Sequence, residues 1–171
     1  MKKFLLIAAL VAFAGIIINY TLGGFKTIEP SLVSVDEAVV YGRFYEGSYK
    51  SEALSELVDE LRAEQVNSNN GILTIVNYHQ EEYEKRGTIK QFVGIIWKER
   101  PASTRYDTLV IPAYNAAQFR LQVKPLVMPS PKKLNNLAED FAITMESTLQ
   151  GISIEQYKDN TLFINYPINS P

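Results

Sequence analysis

Residues 39–61, VVYGRFYEGSYKSEALSELVDEL, decide how the rest of the chain is read. The first part is rich in β-branched and aromatic residues, the composition of a strand. Strand side chains alternate, so Val39, Tyr41, Arg43 and Tyr45 share one face and Val40, Gly42, Phe44 and Glu46 the other. Gly47 and Ser48 end the run. Ser48 or Ser51 then offers a helix N-cap, and Glu52 places an acid in the first turn, where the helix dipole favours it. Leu54, Leu57, Val58 and Leu61 recur at helical spacing, with Glu56, Asp59, Glu60 and Arg62 on the wet side. A strand that passes directly into an amphipathic helix is the unit from which the fold is built.

Working outward from that unit, Gly71 ends the helix and 72–78 reads ILTIVNY, a near-continuous apolar strand. After the charged excursion HQEEYEKRGT, residues 89–98 form another strand with apolar residues on both faces, as a central strand requires. Residues 99–103 make the joint between two halves. Beyond it, 106–111 is a short strand stopped by Pro112. Ala117, Phe119, Leu121 and Val123 then alternate with Gln118, Arg120 and Gln122 at a period of two. Ser130-Pro131 is a helix start, a capping side chain followed by proline at the first helical position. Leu134, Leu137, Phe141 and Met145 mark the expected buried face, and Gly151 the stop. Residues 152–157 and 161–166 close the chain as a hairpin. The order strand, helix, strand, strand thus occurs twice. The expected class is α+β: tandem strand-helix-strand-strand modules forming an antiparallel sheet with helices on one face.

Residues 1–25 set a different expectation. Lys2 and Lys3 precede an apolar run without charge from Phe4 to Phe25, long enough at about 1.5 Å per residue to cross a hydrocarbon core of roughly 30 Å. Ala12-Phe13-Ala14 has the form of a signal cleavage site, but the apolar run continues past it. The reading is an uncleaved transmembrane helix at 1–25, a linker at 26–37 and a domain at 38–168. The flanking lysines imply a single-pass protein with its N-terminus cytoplasmic, an extracytoplasmic domain and the membrane as a partner.

Composition narrows the chemistry. The 171 residues hold 17 basic and 19 acidic side chains, and without Lys2 and Lys3 the balance is 15 to 19. No basic stripe suits phosphates, so nucleic acid is not an expected partner. With no cysteine, thiolate metal sites, disulfides and cysteine nucleophiles are excluded. The single histidine, His79, has no ligand spacing around it, and no metal or other cofactor is expected. A Gly-x-Ser-x-Gly elbow and a Gly-rich phosphate loop are both missing.

Several motifs in shared order carry a resemblance. VVYGRFYEGSY ends in Gly47-Ser48-Tyr49, TIVNYHQ and FVGIIW follow, and DTLVIPAYNAAQFRL contains Ile111-Pro112-Ala113. From residue 32 to 168 this pattern resembles the GyrI-like family, the effector-binding domains of AraC-type and multidrug-responsive bacterial regulators. With the apolar N-terminal run, it is also similar to a membrane-anchored, testis-expressed receptor of endoplasmic-reticulum autophagy and its bacterial look-alikes. The resemblance implies a ligand cleft between two modules, lined by aromatic side chains. Tyr41, Tyr45, Tyr49, Tyr78, Trp97, Phe119 and Tyr166 are the candidates for that lining, since flat apolar ligands stack on such rings. In drug-responsive members a buried glutamate within a Glu-x-Tyr pattern of the last strand faces cations. The matching tripeptide here is Ile164-Asn165-Tyr166, in which isoleucine replaces the acid. Arg43 and Arg120, one on each long strand, could clamp an anionic group. The expected ligand is therefore a small apolar or aromatic molecule, neutral or anionic, or else a partner protein, bound without catalysis. Two other readings stand beside it: a hydrolase of small electrophiles, for which Glu46 and Glu155 are the strand-borne acids, and a structural adaptor without a cavity.

Overall fold

The structure is a computed structural model and describes residues 4, 28–68, 71–97, 105–123, 128–158 and 160–169. The strands are β1 (Ser31–Val35), β2 (Ala38–Gly47), β3 (Ile72–Tyr78), β4 (Ile89–Ile96), β5 (Asp107–Ile111), β6 (Tyr114–Gln122), β7 (Ile152–Lys158) and β8 (Thr161–Ile168). The helices among the described residues are α1 (Glu52–Ser68), α2 (Glu81–Arg86) and α3 (Pro131–Thr144). All eight strands form one sheet in the order β1-β6-β8-β7-β3-β4-β2-β5, and every neighbouring pair is antiparallel. β2-α1-β3-β4 and β6-α3-β7-β8 repeat one element order. The two groups meet at the β3–β7 seam, where Ile75 lies opposite Glu155.

Two very short connections force this sheet to curl. β1 and β2 are first and seventh in the order, yet only Asp36 and Glu37 join them; β6 and β5 are second and eighth, joined by Pro112 and Ala113. Three Cα steps span at most about 11 Å. In a flat sheet the same strands would stand roughly 29 Å apart, six spacings of about 4.8 Å. The sheet closes toward itself, and the strand leading into each repeat pairs with the other repeat. Gly42 and Gly94 sit opposite each other where β2 and β4 press together. A Cβ on Gly42 would stand 2.0 Å from the Val93 carbonyl oxygen.

Each face then has its own core. Val40, Val76, Phe92, Ile111 and Ile154 fill the face without the long helices, with Tyr114 packed against them. On the other face, α1 sets Leu57 and Leu61 on Leu73, Val93 and Ile95. Likewise α3 sets Leu134 and Ala138 on Ala117, Phe119, Leu121, Leu162 and Ile164. Each fully buried aliphatic or phenyl side chain contributes about 1.5–3 kcal/mol, so these three clusters carry the stability. Ser130 caps α3 by accepting from the Lys133 amide at 3.3 Å, with Pro131 at the first turn, as its sequence predicts.

Some local expectations are corrected. Ser31–Val35, read as linker, is strand β1: its partner β6 supplies the ladder that its weak pattern cannot announce. The charged excursion after β3 contains helix α2, which ends at Gly87 in the left-handed region at φ 66°. Met145 is the C-cap of α3 and 41% exposed, while Ala138 and Ala142 are the buried residues, because the helix leans on β6 and β8 through small side chains. The segment read as a transmembrane helix, 1–25, lies outside the described residues apart from Phe4. Among the described residues no helix is long and apolar enough to cross a membrane.

Candidate functional site

A cavity of about 530 Å³ opens on the helix-bearing face, between the β3–β4 hairpin and the start of α3. Its floor is the β3–β7 seam. Strand alternation sends Asn77 from β3 and Ser153, Glu155 and Tyr157 from β7 to the same side, where all four line the cavity. Ile164 and Tyr166 from β8 extend the floor. Tyr83 of α2 forms one wall, and Met128, Pro129, Pro131 and Leu134 form the opposite one.

Glu155 is the centre of a hydrogen-bonded network. The Tyr157 hydroxyl donates to Oε2 at 3.0 Å and the Asn77 amide to Oε1 at 2.9 Å. Gln91 orients Asn77 by donating to its Oδ1 at 2.5 Å. The same Asn77 amide reaches Ser153 Oγ at 3.3 Å, which in turn lies 2.8 Å from His79 Nε2. Burial pushes the Glu155 carboxyl above the ordinary carboxylate range, against the pull of the Tyr157 and Asn77 hydrogen bonds. Burial and the neighbouring carboxylate also raise the Tyr157 hydroxyl, and burial followed by Glu155 lifts Tyr166 to about 12. Both phenols therefore stay protonated near neutrality. The cavity holds a carboxylate whose two oxygens have donors and whose open side faces aromatic walls.

Local structure presents those walls. The Tyr45 hydroxyl donates to the Ser48 carbonyl at 2.7 Å, pinning the turn that brings Tyr49 to the rim. The His79 amide donates to the Gly151 carbonyl at 2.9 Å and ties the end of β3 to the start of β7. That tie stacks the imidazole on Tyr166, with ring centroids 6.2 Å apart and planes at 14°. A second cavity of about 550 Å³ lies beyond this ring pair, against Asn135, Glu139 and Ile143 of α3. His79 and Tyr166 line both cavities.

Of the nine aromatic and arginine residues singled out in the sequence, Tyr49, Tyr78 and Tyr166 line the first cavity, as does Glu155, one of the two acids named for a hydrolase. The other six lie elsewhere. Tyr41 and Trp97 pack together under α1, with centroids 6.0 Å apart, and Tyr45 belongs to the same cluster. Phe119 is fully buried beneath α3, edge-on to Tyr166 at 5.9 Å. Arg43 pairs with Glu60 at 3.6 Å, while Arg120 is exposed on the opposite face over Phe163 at 5.7 Å. Alternation on two strands at opposite ends of the sheet separates these guanidinium groups, so they form no anion clamp.

The expected loss of the acid is also corrected. The acid–x–tyrosine pattern that meets the cavity is Glu155-Gln156-Tyr157 on β7, one strand earlier than the Ile164-Asn165-Tyr166 that was matched to it. Sequence reasoning missed Asn77, Gln91, Ser153, Tyr157 and Tyr83 as cavity residues. Tyr157, two residues after Glu155, was the available signal. Glu46 faces away from the cavity and receives the Tyr83 hydroxyl at 3.4 Å. Among the described residues no three His, Asp or Glu side chains converge as metal ligands.

No family model matches the chain, and no curated protein sequence does. Solved structures do share its fold. EcmrR, in a structure described as an EcmrR–DNA complex, is 13% identical over 99% of this chain and 68% of that one, with a TM-score of 0.61. The EcmrR C-terminal domain is 16% identical over 85% of this chain and all of that one, with a TM-score of 0.56. SAV2435 bound to tetraphenylphosphonium is 13% identical over 83% of this chain and 94% of that one, with a TM-score of 0.51. At these identities the likeness establishes the fold, that of the EcmrR C-terminal domain.

Two expectations about surroundings are corrected with it. Excluding nucleic acid rested on charge balance and the lack of a basic stripe, and a protein of this fold, EcmrR, is seen in complex with DNA. The membrane as partner, and with it the single-pass topology and extracytoplasmic domain, rested on 1–25 alone. Among the described residues no helix is long and apolar enough to cross a membrane, and the fold is that of the EcmrR C-terminal domain.

Proposed function

We propose that the chain is a small-molecule sensor domain, made of two strand-helix-strand-strand modules, that binds a lipophilic aromatic cation in the cavity at their seam. The observation that carries this reading is Glu155, a carboxylate held by Tyr157 and Asn77 in a wall that also contains Tyr49, Tyr78, Tyr83 and Tyr166. Such a site attracts a delocalised cation twice, by charge and by ring quadrupoles. An ammonium or phosphonium with aromatic substituents also loses little hydration on entry, so the buried carboxylate is not set against a large desolvation cost. SAV2435, of the same fold, has tetraphenylphosphonium bound, which supports the ligand class by analogy. The proposal reverses the preference for neutral or anionic ligands, because the acid is in the cavity and the two arginines are not.

Titration calorimetry with tetraphenylphosphonium tests it. Saturable binding by the wild type, weakened at least tenfold by Glu155→Gln, is the expected result. Binding that ignores this substitution removes Glu155 from the site. The contact between Glu155 and the Tyr157 hydroxyl also favours a hydrolytic reading, since a raised carboxyl can act as an acid. Recovery of unchanged ligand after prolonged incubation supports sensing, and a hydrolysed product supports catalysis.

A further inference from the structure

We infer that the second cavity, beyond the His79–Tyr166 ring pair, is a second cation subsite, and that the ligand is a lipophilic dication with one charge for Glu155 and the other for Glu139. This rests on the first cavity being a cation site. Both cavities lie on the sheet face that carries α3. Glu155 is level with Ile164 of β8, and Ile164 and Tyr166 both pack beneath that helix. The helix passes over the two cavities in turn: Pro131 and Leu134 line the first, Asn135, Glu139 and Ile143 the second. Asn135 and Glu139 are one helical turn apart, and the Asn135 amide donates to Glu139 Oε1 at 2.8 Å. That contact steadies the carboxylate, while Oε2 has no hydrogen-bond partner among the described residues. Among the described residues, no lysine or arginine lines this cavity. Ala142, Ile143, Leu149 and Ile152 make much of its wall apolar, and Ile143 is 69% exposed, surface that a lipophilic ligand would cover. The rim is already ordered: Asn169 donates from its amide to the Thr148 carbonyl at 2.8 Å and from its side chain to Thr148 Oγ1 at 2.7 Å. A ligand therefore meets little ordering cost there.

The spacing sets the length of that ligand. On β7 the lining changes from the first cavity to the second between Ser153 and Ile152, and on α3 between Leu134 and Asn135. Glu155 stands two to three residues to one side of that junction, roughly 8 Å along the strand. Glu139 stands four to five residues to the other side, roughly 7 Å along the helix. The two backbone positions are thus roughly 15 Å apart along the line of the cavities, and side chains leaning inward shorten the gap between charges. The residues common to both linings are His79 and Tyr166, so a chain joining the two charges crosses this ring pair. An alkyl chain suits that crossing, because it gives up no hydration where it lies on the rings. A ligand with one charge uses one carboxylate; a ligand with two, at this spacing, uses both.

A matched pair of probes decides the matter. One carries triphenylphosphonium and trimethylammonium at the two ends of a ten-carbon chain; in its partner a tert-butyl group, neutral and of the same shape, replaces the trimethylammonium. Calorimetry on the whole chain is expected to show the dication binding about fivefold tighter, a modest gain because Glu139 is exposed and its charge is screened. The preference should shrink as salt is raised. Glu139→Gln, which keeps the shape and the Asn135 contact, should abolish the preference and leave tetraphenylphosphonium binding as in the wild type. A three-carbon chain, too short to reach both carboxylates, should show no preference. Glu155→Gln should weaken both long probes. Equal binding of the two by the wild type, tighter binding of the tert-butyl compound, or a preference that survives Glu139→Gln or the short chain overturns the second subsite and leaves the first cavity standing. Loss of tetraphenylphosphonium binding in Glu139→Gln also overturns it, since that ligand has no second charge to lose. If neither long probe binds, or if Glu155→Gln changes neither, the reading of the first cavity falls and this inference with it.

Discussion

Replacing Glu155 by glutamine should weaken cation binding and raise stability at once. Glutamine keeps the shape and most of the network. Its carbonyl can accept from Asn77 as Oε1 now does, and the Tyr157 hydroxyl can turn from donor to acceptor for the new amide. Only the charge is lost. A unit charge about 5 Å from a ligand cation, at an effective dielectric near 20, is worth about 3 kcal/mol. Desolvation offsets part of that, leaving about 1.5–3 kcal/mol, or roughly ten- to a hundredfold in Kd. A neutral triphenylphosphine oxide should bind both proteins within about twofold of each other, because it lacks the charge that Glu155 reads.

The stability side follows from the raised carboxyl. Burial holds its folded-state pKa above the unfolded value. Such a group contributes stability that is fully present below the unfolded pKa, near 4.3, and lost as pH rises through the folded one. At neutral pH Glu155 is therefore a burden on the folded state, and Glu155→Gln should melt higher than wild type. The gap should narrow as pH falls toward 4. Thermal melts at pH 7 and 4.5, paired with calorimetry using tetraphenylphosphonium, make the check. A variant that melts lower at pH 7, or that binds the cation as before, refutes the reasoning. Loss of binding with gain of stability cannot be explained by misfolding.

Four further outcomes are expected. Tetraphenylphosphonium affinity should fall with acidification, with its midpoint above the ordinary carboxylate range, because protonation removes the charge; calorimetry across pH 4–8 reads this, and Glu155→Gln should be flat. Tyr157→Phe removes a hydrogen bond that lowers the Glu155 pKa, so it should move that midpoint upward. Gly42→Ala should cost about 3 kcal/mol in urea unfolding, since its Cβ would meet backbone atoms of Val93 and Gly94 that cannot rotate away. Arg43→Ala combined with Arg120→Ala should leave cation binding unchanged; the partly exposed Arg43–Glu60 pair makes a stability loss of at most about 1 kcal/mol reasonable.

The order of elements was legible because each core element carries its own period. Leu57 and Leu61 of α1 and the alternation through Ala117, Phe119 and Leu121 of β6 need no partner to be recognised. β1 was not legible, since its stability comes from pairing with β6, some eighty residues away. The cavity was partly legible. Aromatic content pointed to ring-lined walls, but period two puts Tyr41 and Tyr45 on the correct face and still under α1, beyond the cavity. Position along a strand, relative to where the helices rest, separates Tyr45 from Tyr157. That quantity is tertiary and has no local signature.

The repeated element order does not make the site repeat. At the seam, Ile75 of β3 stands opposite Glu155 of β7, one apolar and one acidic side chain across the pair that joins the halves. Two glutamates there would be like charges directly opposite each other, and one would be held protonated at neutral pH. The isoleucine leaves a single carboxylate, off the centre of the seam, whose donors come one from each half, Asn77 from β3 and Tyr157 from β7. A shift of β3 against β7 by one residue would turn Asn77 to the other face and remove one of the two hydrogen bonds. The charge state of Glu155 is thereby coupled to the register between the halves. A ligand that favours the ionised form also favours the register in which both donors reach it.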